Sequence, residues 1–311
     1  MQNKLSASFM YRIVGFVIIF ACASLFVPRF LTGPNILNLI RQVFLLALVS
    51  YGVALSLLVK GLDLSIGSVA ALSSCLAAAP LSQDQVALGI VVGLAIGVLC
   101  GFANGLLITG LGVPDFITTF SMMYVARGLA YTYTGGGATY RFPSSFLWLG
   151  KGYIGPFPMV IVVSVVLMLA IHFMLQKTVF GKEIYATGMN KVAAVYSGIS
   201  VRRVVTAVYA LSGLLAGFAG LIYVARMNAA AADLGGMWSL QAVAACVIGG
   251  ITFEGGEGSI LGLILGASVI EIINNCVNLL GIPSRFQDFV LGFMIITVVA
   301  LDYYIKRNVK R

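Results

Sequence analysis

Ten apolar runs divide the chain, at roughly 11–28, 36–59, 64–80, 86–111, 114–134, 157–175, 203–226, 238–252, 258–281 and 286–304. A helix needs about 20 residues to cross the hydrocarbon of a bilayer, and most of these runs are near that length. Inside lipid every backbone N–H and C=O must be satisfied within the protein, which leaves helices as the outcome. The expected fold is all-α, a polytopic membrane protein of about ten transmembrane or re-entrant helices. The third and eighth runs are short and are candidates for re-entrant or broken helices. Charge agrees, since only 9% of the 311 residues are charged, against about a quarter in a soluble domain. Ala21 and Ala23 resemble a leader cleavage site, but the first run is read as an uncleaved first span.

An even number of crossings puts both termini on one side. Lys4, Arg12, Lys60, Lys177, Lys182, Lys191, Arg202, Arg203, Lys306, Arg307, Lys310 and Arg311 then share that side, and only Arg29, Arg141, Lys151, Arg226 and Arg285 lie opposite. Arg41 and Arg127 fall within spans. Cytoplasmic loops collect Lys and Arg, so the asymmetry predicts N-in/C-in. It also accounts for the net charge of +9 without nucleic acid. Residues 1–311 read as a single transmembrane domain, with a cytoplasmic polar stretch at about 176–202 and an external loop at 135–156. The five cysteines lie in apolar stretches without CxxC spacing, which suits small core residues and neither a disulfide framework nor a metal site.

Gly93, Gly97, Gly101 and Gly105 recur every fourth residue in the fourth span, so they share one helix face and predict close helix packing. Gly213, Gly217 and Gly220 predict the same in the seventh. In the ninth span Ser268, Glu271, Asn274, Asn275 and Asn278 form one polar face. Such a face cannot point at lipid. It suits either a hydroxyl-rich ligand, because amides and an acid donate and accept hydrogen bonds, or a helix or subunit contact held by asparagines. Arg127 is the other intramembrane charge, either snorkelling to the interface or meeting Glu271. Both lie 13 residues past their predicted span starts (127 − 114 and 271 − 258), at a similar depth, which predicts a charge pair or a shared cavity.

No GxxxxGK[ST] phosphate loop occurs, and a single histidine, His172, makes no proton relay. The chain shows no catalytic residue, no cofactor site and no engine. Energy comes from a partner unless transport is passive or ion-coupled, as in a self-sufficient secondary transporter. In 180–200, Gly181, Gly188 and Gly198 break the chain into pieces too short to be stable helices alone. Asn190 can cap the piece that follows it. Ala193, Ala194 and Val195 would offer a small apolar surface that needs a protein cover.

Four stretches carry a resemblance. "GLDLSIGSVAALSS" (61–74) resembles the Gly-Ile/Leu-Asp-Leu-Ser-x-Gly-Ser signature of permease subunits from ribose-, galactose- and xylose-type ABC sugar importers. "FGKEIYATGMNKVAAVYSGIS" (180–200) is similar to their cytoplasmic coupling segment, and "VIGGITFEGGEGSILGLILGA" (247–267) and "NNCVNLLG" (274–281) to their C-terminal motifs. The matches keep family order over essentially the whole chain. The resemblance implies a bacterial inner-membrane subunit that works by alternating access. It implies three partners: a second permease subunit, the same or different; a cytoplasmic ABC ATPase, where ATP is hydrolysed; and an extracytoplasmic solute-binding protein that delivers a small sugar. A nucleoside, a signalling furanose or a branched-chain amino acid is the alternative cargo in the same superfamily. Gly188, Asn190, Ala193, Ala194, Ser197 and Gly198 would contact the ATPase. Gly61, Asp63, Ser65 and Gly67 would form a turn at the inner membrane boundary, with Asp63 capping the third span and Ser65 assisting. Two departures stand out. The usual Gly-Gly-Asn-Glu of the coupling segment is Gly188-Met189-Asn190-Lys191 here, which reverses a charge at the ATPase contact. The usual Glu-Leu-Asp before the eighth span is Ser239-Leu240-Gln241, which leaves the sugar open.

Overall fold

The computed structural model describes residues 2–283 together with 286, 289–290, 292–293 and 296–297. The first helices are α1 (Gln2–Phe26), α2 (Gly33–Leu58), α3 (Ile66–Ser82), α4 (Val86–Gly110) and α5 (Asp115–Thr134). A short α6 (Ser144–Lys151) and two-residue strands β1 (Thr139–Tyr140), β2 (Tyr153–Ile154) and β3 (Phe157–Pro158) precede α7 (Met159–Lys177). Then come α8 (Val179–Met189), α9 (Lys191–Tyr196), α10 (Val201–Met227), β4 (Ala229–Ala230), α11 (Trp238–Gly249), a 3-10 turn (Ile260–Gly262) and α12 (Leu263–Leu279). Nine of the ten apolar runs coincide with helices; most of the tenth, and Arg285, Lys306, Arg307, Lys310 and Arg311, lie outside the described residues.

Among the described residues five helices are long and apolar enough to cross a membrane: α2, α4, α7, α10 and the stretch Ile260–Leu279. Helix α10 is 72% buried over its most apolar window and α4 only 22%, so α10 is central and α4 peripheral. The outer faces of α4 (Leu88, Val91, Leu99), α5 (Phe116, Ile117, Val125) and α7 (Val166, Leu169, Phe173) are exposed and apolar, as a lipid-facing surface must be.

The most extensive helix contact joins α4 to α10, and glycine makes it possible. A Cβ at Gly97 would stand 2.3 Å from the Gly213 carbonyl oxygen, and one at Gly101 would stand 2.1 Å from that of Tyr209. Gly105 meets the Thr206 backbone in the same way, while Gly93 lies under the Leu221 side chain and its carbonyl oxygen would stand 2.8 Å from a Cβ at Gly217. The small-residue stripe therefore packs backbone on backbone, as its spacing predicts. Gly220 serves the other side of α10, against Ala70 and Ser74 of α3.

The bundle has two distinct ends. One carries α8, α9 and the 250–259 connection: the Leu58 carbonyl at the end of α2 accepts from Gly256 N at 2.8 Å, and Tyr185 donates to the Gly258 carbonyl at 2.9 Å. Burial raises the Tyr185 phenol above its ordinary range. The other end carries α6 and the β-pairs, where β1 pairs with β4 and Phe142 N donates to Asn228 Oδ1 at 3.0 Å. From there residues 228–237 run back into the bundle as a strap and deliver the short α11 near the N-terminus of the short α3. Both short runs are thus helices that start inside the bundle.

Candidate functional site

The GLDLS turn is built differently from a cap. Ser65, not Asp63, holds the N-cap position of α3, and it makes no side-chain cap bond. Asp63 is 1% exposed. Its Oδ1 accepts from Ser65 N at 2.9 Å and Ser65 Oγ at 2.6 Å, and its Oδ2 accepts from Ser212 Oγ of α10 at 2.6 Å. Asn104 of α4 donates to Ser65 Oγ at 3.0 Å. Ser212 is 11 residues into α10, about 16 Å along its axis, so the turn packs against the side of that helix. A buried carboxylate needs several donors; three come from this turn and α10, and none from the first turn of α3. Asp63 is a tie between segments, with Gly61 under the Tyr209 hydroxyl and Gly67 under the Gly235 carbonyl.

Arg127 and Glu271 do not pair. The Arg127 guanidinium donates to Ser68 Oγ at 3.2 Å, to the Leu234 carbonyl at 2.7 Å and to the Ala232 carbonyl. It thereby fastens the strap to α3 and α5. The strap brings the Ala232 and Leu234 carbonyls to Arg127, so its donors are taken by backbone and not by the carboxyl group of α12.

The polar face of α12 divides. Asn275 makes a reciprocal amide pair with Asn35 at the start of α2, at 3.0 and 2.8 Å. Ser268 turns back onto the Ile264 carbonyl at 2.6 Å, and Asn278 is exposed. Glu271, 8% exposed, is hydrogen-bonded by Asn274 and lines a cavity of about 180 Å³ with Gln42, Leu45, Leu46, Tyr223, Arg226, Met227 and Trp238. Arg226 donates to Asn38 Oδ1 and lies within electrostatic reach of Glu271 and Arg41. Arg41 stacks over the Tyr153 ring, 5.2 Å from its centroid, and donates to its hydroxyl. The Trp238 and Tyr223 rings meet edge to face at 5.4 Å. A second cavity of about 340 Å³, lined by the strap, shares Tyr223 and Met227 with the first. Sequence reasoning found Glu271 and missed Gln42, Tyr223, Arg226 and Trp238. Polar Gln42 beside Arg41 within an apolar run was the available signal.

At the other end, 180–200 forms two short helices. Thr178 caps α8 by accepting from Gly181 N at 3.1 Å, and Asn190 caps α9 by accepting from Val192 N and Ala193 N at 3.0 and 3.1 Å. Gly188 is buried against the Leu58 carbonyl and Gly256, and Gly198 ends α9 with φ +81°. Ser197 and Ala193 are exposed, but Ala194 is buried at 3%, so it lies outside the expected surface. On so short a helix one face must pack inward, and Ala194 is on it. The exposed apolar groups are Met189, Val192, Val195 and Tyr196, the last 89% exposed.

Among the described residues no cluster of His, Cys, Asp or Glu could hold a metal ion, and all five cysteines are free.

Residues 35–299 match the family model described as branched-chain amino acid transport system / permease component. The chain belongs to this permease family. It is 39% identical over 292 residues to the ribose import permease protein of Bacillus subtilis (strain 168), covering 93% of this chain and 91% of that protein. It is 33% identical over 297 residues to the L-arabinose ABC transporter permease protein of Azospirillum brasilense, covering 95% and 87%. Against the galactose/methyl galactoside import permease protein of Escherichia coli (strain K12) it is 34% identical over 295 residues, covering 88% of each. No solved structure matches the chain. The permease reading of the four motif stretches is borne out.

Proposed function

We propose that this permease is the membrane-spanning subunit of an ATP-driven importer that carries a monosaccharide across the bacterial inner membrane. One observation carries the reading: near full-length similarity to import permeases for ribose, arabinose and galactose. The aromatic and hydrogen-bonding cavity chemistry is in keeping with it. The orientation is N-in/C-in, supported by Lys60, Lys177, Lys182, Lys191, Arg202 and Arg203 gathering at the α8–α9 end. That end faces the cytoplasm and docks a separate ATPase through α8 and α9, with Asn190 and Gly198 shaping the helix and Val192, Ala193, Val195, Tyr196 and Ser197 presented. A second permease subunit completes the transporter, and an external binding protein delivers the sugar. Arg127 serves the route indirectly, by holding the strap.

The test is uptake of labelled ribose, arabinose and galactose by cells that make the permease with its ATPase and binding protein. Uptake of at least one sugar that disappears with the permease is expected. Sugar uptake unchanged by its removal, or robust ATP hydrolysis by the isolated chain, refutes the reading.

A further inference from the structure

The cavity between α2, α10, α11 and α12 places an acid, a base, an amide and two aromatic rings around one small space. We propose that it is a solute site inside the single subunit, taking a neutral polyhydroxylated ring: Arg226 and Glu271 clamp adjacent hydroxyls, and Trp238 with Tyr223 receives the ring's C–H face. The inference rests on the import reading above and adds where and how the solute is held.

Size comes first. At about 180 Å³ the cavity is below the roughly 300–1,000 Å³ of drug-sized pockets, so only a small solute enters. Charge comes next. Arg226 and Glu271 line the same cavity, yet each is steadied by an amide: Arg226 by Asn38, Glu271 by Asn274. A guanidinium carries five N–H donors and a carboxyl group two oxygens, so one bond to an amide leaves hydrogen-bonding capacity on each. Such a pair asks for an occupant whose neighbouring groups both donate and accept. Vicinal hydroxyls do this, whereas an alkyl side chain does not. A solute whose only charge is a carboxylate would lie against the Glu271 carboxyl group, and one whose only charge is an ammonium would lie against Arg226, with Arg41 within electrostatic reach behind it.

The aromatic wall completes the argument. Trp238 and Tyr223 meet edge to face, 79° apart, an arrangement that leaves an aromatic face free of its partner. A sugar ring has just such an amphipathic character, with hydroxyls at its rim and C–H groups on its face. Because the neighbouring strap-lined cavity shares Tyr223 and Met227, the solute passes along the Tyr223 ring. Gln42 supplies one more donor and acceptor on the α2 side.

The chain has two tryptophans, Trp148 and Trp238, so Trp148→Phe leaves Trp238 as a sole reporter at the site. The probes are ribose, arabinose, galactose and galacturonate, titrated to high millimolar concentration against the purified Trp148→Phe permease. Emission should change saturably with at least one neutral sugar, and galacturonate should require at least tenfold more. Glu271→Gln in the same background should weaken that response at least tenfold. In cells, Glu271→Gln, Arg226→Gln and Trp238→Ala should each cut uptake at least tenfold at unchanged membrane level and ATPase co-purification. Silence of Trp238 toward every sugar, with uptake normal in Glu271→Gln and Arg226→Gln, overturns the site while leaving the import reading intact. A preference for galacturonate overturns the neutral-solute assignment. Absence of any monosaccharide uptake by the unaltered transporter is a failure of the import reading itself, and the site falls with it.

Discussion

Gly67 and Gly235 bring the first turn of α3 against the strap that leads into α11, so closely that a Cβ at Gly67 would stand 2.1 Å from the Gly235 carbonyl oxygen. Ser239 completes the junction, donating to the Leu64 carbonyl at 2.7 Å and accepting from Gly67 N at 3.5 Å. Two helices from distant parts of the chain therefore begin side by side within the bundle. The helix starts are locked by backbone contact, with no room for a side chain.

Gly67→Ala should therefore force the strap outward. Overpacking of this kind costs about 1–3 kcal/mol. A lowered thermal unfolding midpoint in detergent is expected, with Gly15→Ala as the control, since nothing stands within 4 Å of a Cβ there. Equal midpoints for the two variants would show that the junction is looser than described.

The buried carboxylate of Asp63 gives a graded test. Ser212→Ala removes the one donor outside the turn among the described residues, and a hydrogen bond to a charged group contributes about 1.5–3 kcal/mol. Asp63→Ala should cost more, because it also strands the Ser212 hydroxyl. Asp63→Asn should fall between the unaltered chain and Asp63→Ala, keeping one acceptor oxygen for Ser65. Chemical unfolding of the three variants measures the order; a neutral Ser212→Ala would remove the tie between the turn and α10.

Much of this was legible in the chain. Apolar runs located nine helices, the i+4 glycines marked the α4 face that meets α10, and Asn190 was visible as the cap of α9. These are local signals, carried by periodicity and by residue types a few positions apart. The tie between Asp63 and Ser212 spans 149 residues, and the cavity draws Gln42, Tyr223, Trp238 and Glu271 from four helices. No period or spacing encodes such meetings. Arg127 shows the same limit: two of its partners are carbonyls of an irregular strap, more than 100 residues away in sequence.

For the α8–α9 end, exposure separates two neighbouring alanines. Ala193→Glu and Tyr196→Asp alter the outward face and should leave the permease in the membrane while weakening ATPase co-purification and ligand-stimulated hydrolysis at least tenfold. Ala194→Leu instead inserts volume into packed space and should lower the yield of folded protein. Full coupling in both surface variants would take α9 out of the contact.

The last prediction distinguishes two asparagines that adjoin each other in sequence. Asn275 is committed to Asn35 through two amide hydrogen bonds, and Asn35 also donates to the Phe30 carbonyl at 2.8 Å. Asn275→Leu leaves a facing amide without its partner, and interhelical hydrogen bonds in membranes contribute on average about 0.6 kcal/mol, reaching about 1.7. The variant should lower the amount of folded permease but leave uptake per folded molecule normal. Combining it with Asn35→Leu should cost less than the sum of the two single changes, because the pair is lost only once. Asn274 faces a different environment, hydrogen-bonded to Glu271 beside the cavity. Asn274→Leu should keep the folded amount and lower uptake, since it frees the carboxylate from its positioning amide. Uptake and folded protein measured on the same membranes decide the matter, and a loss of uptake per molecule in Asn275→Leu equal to that in Asn274→Leu would return both residues to a single solute-facing stripe.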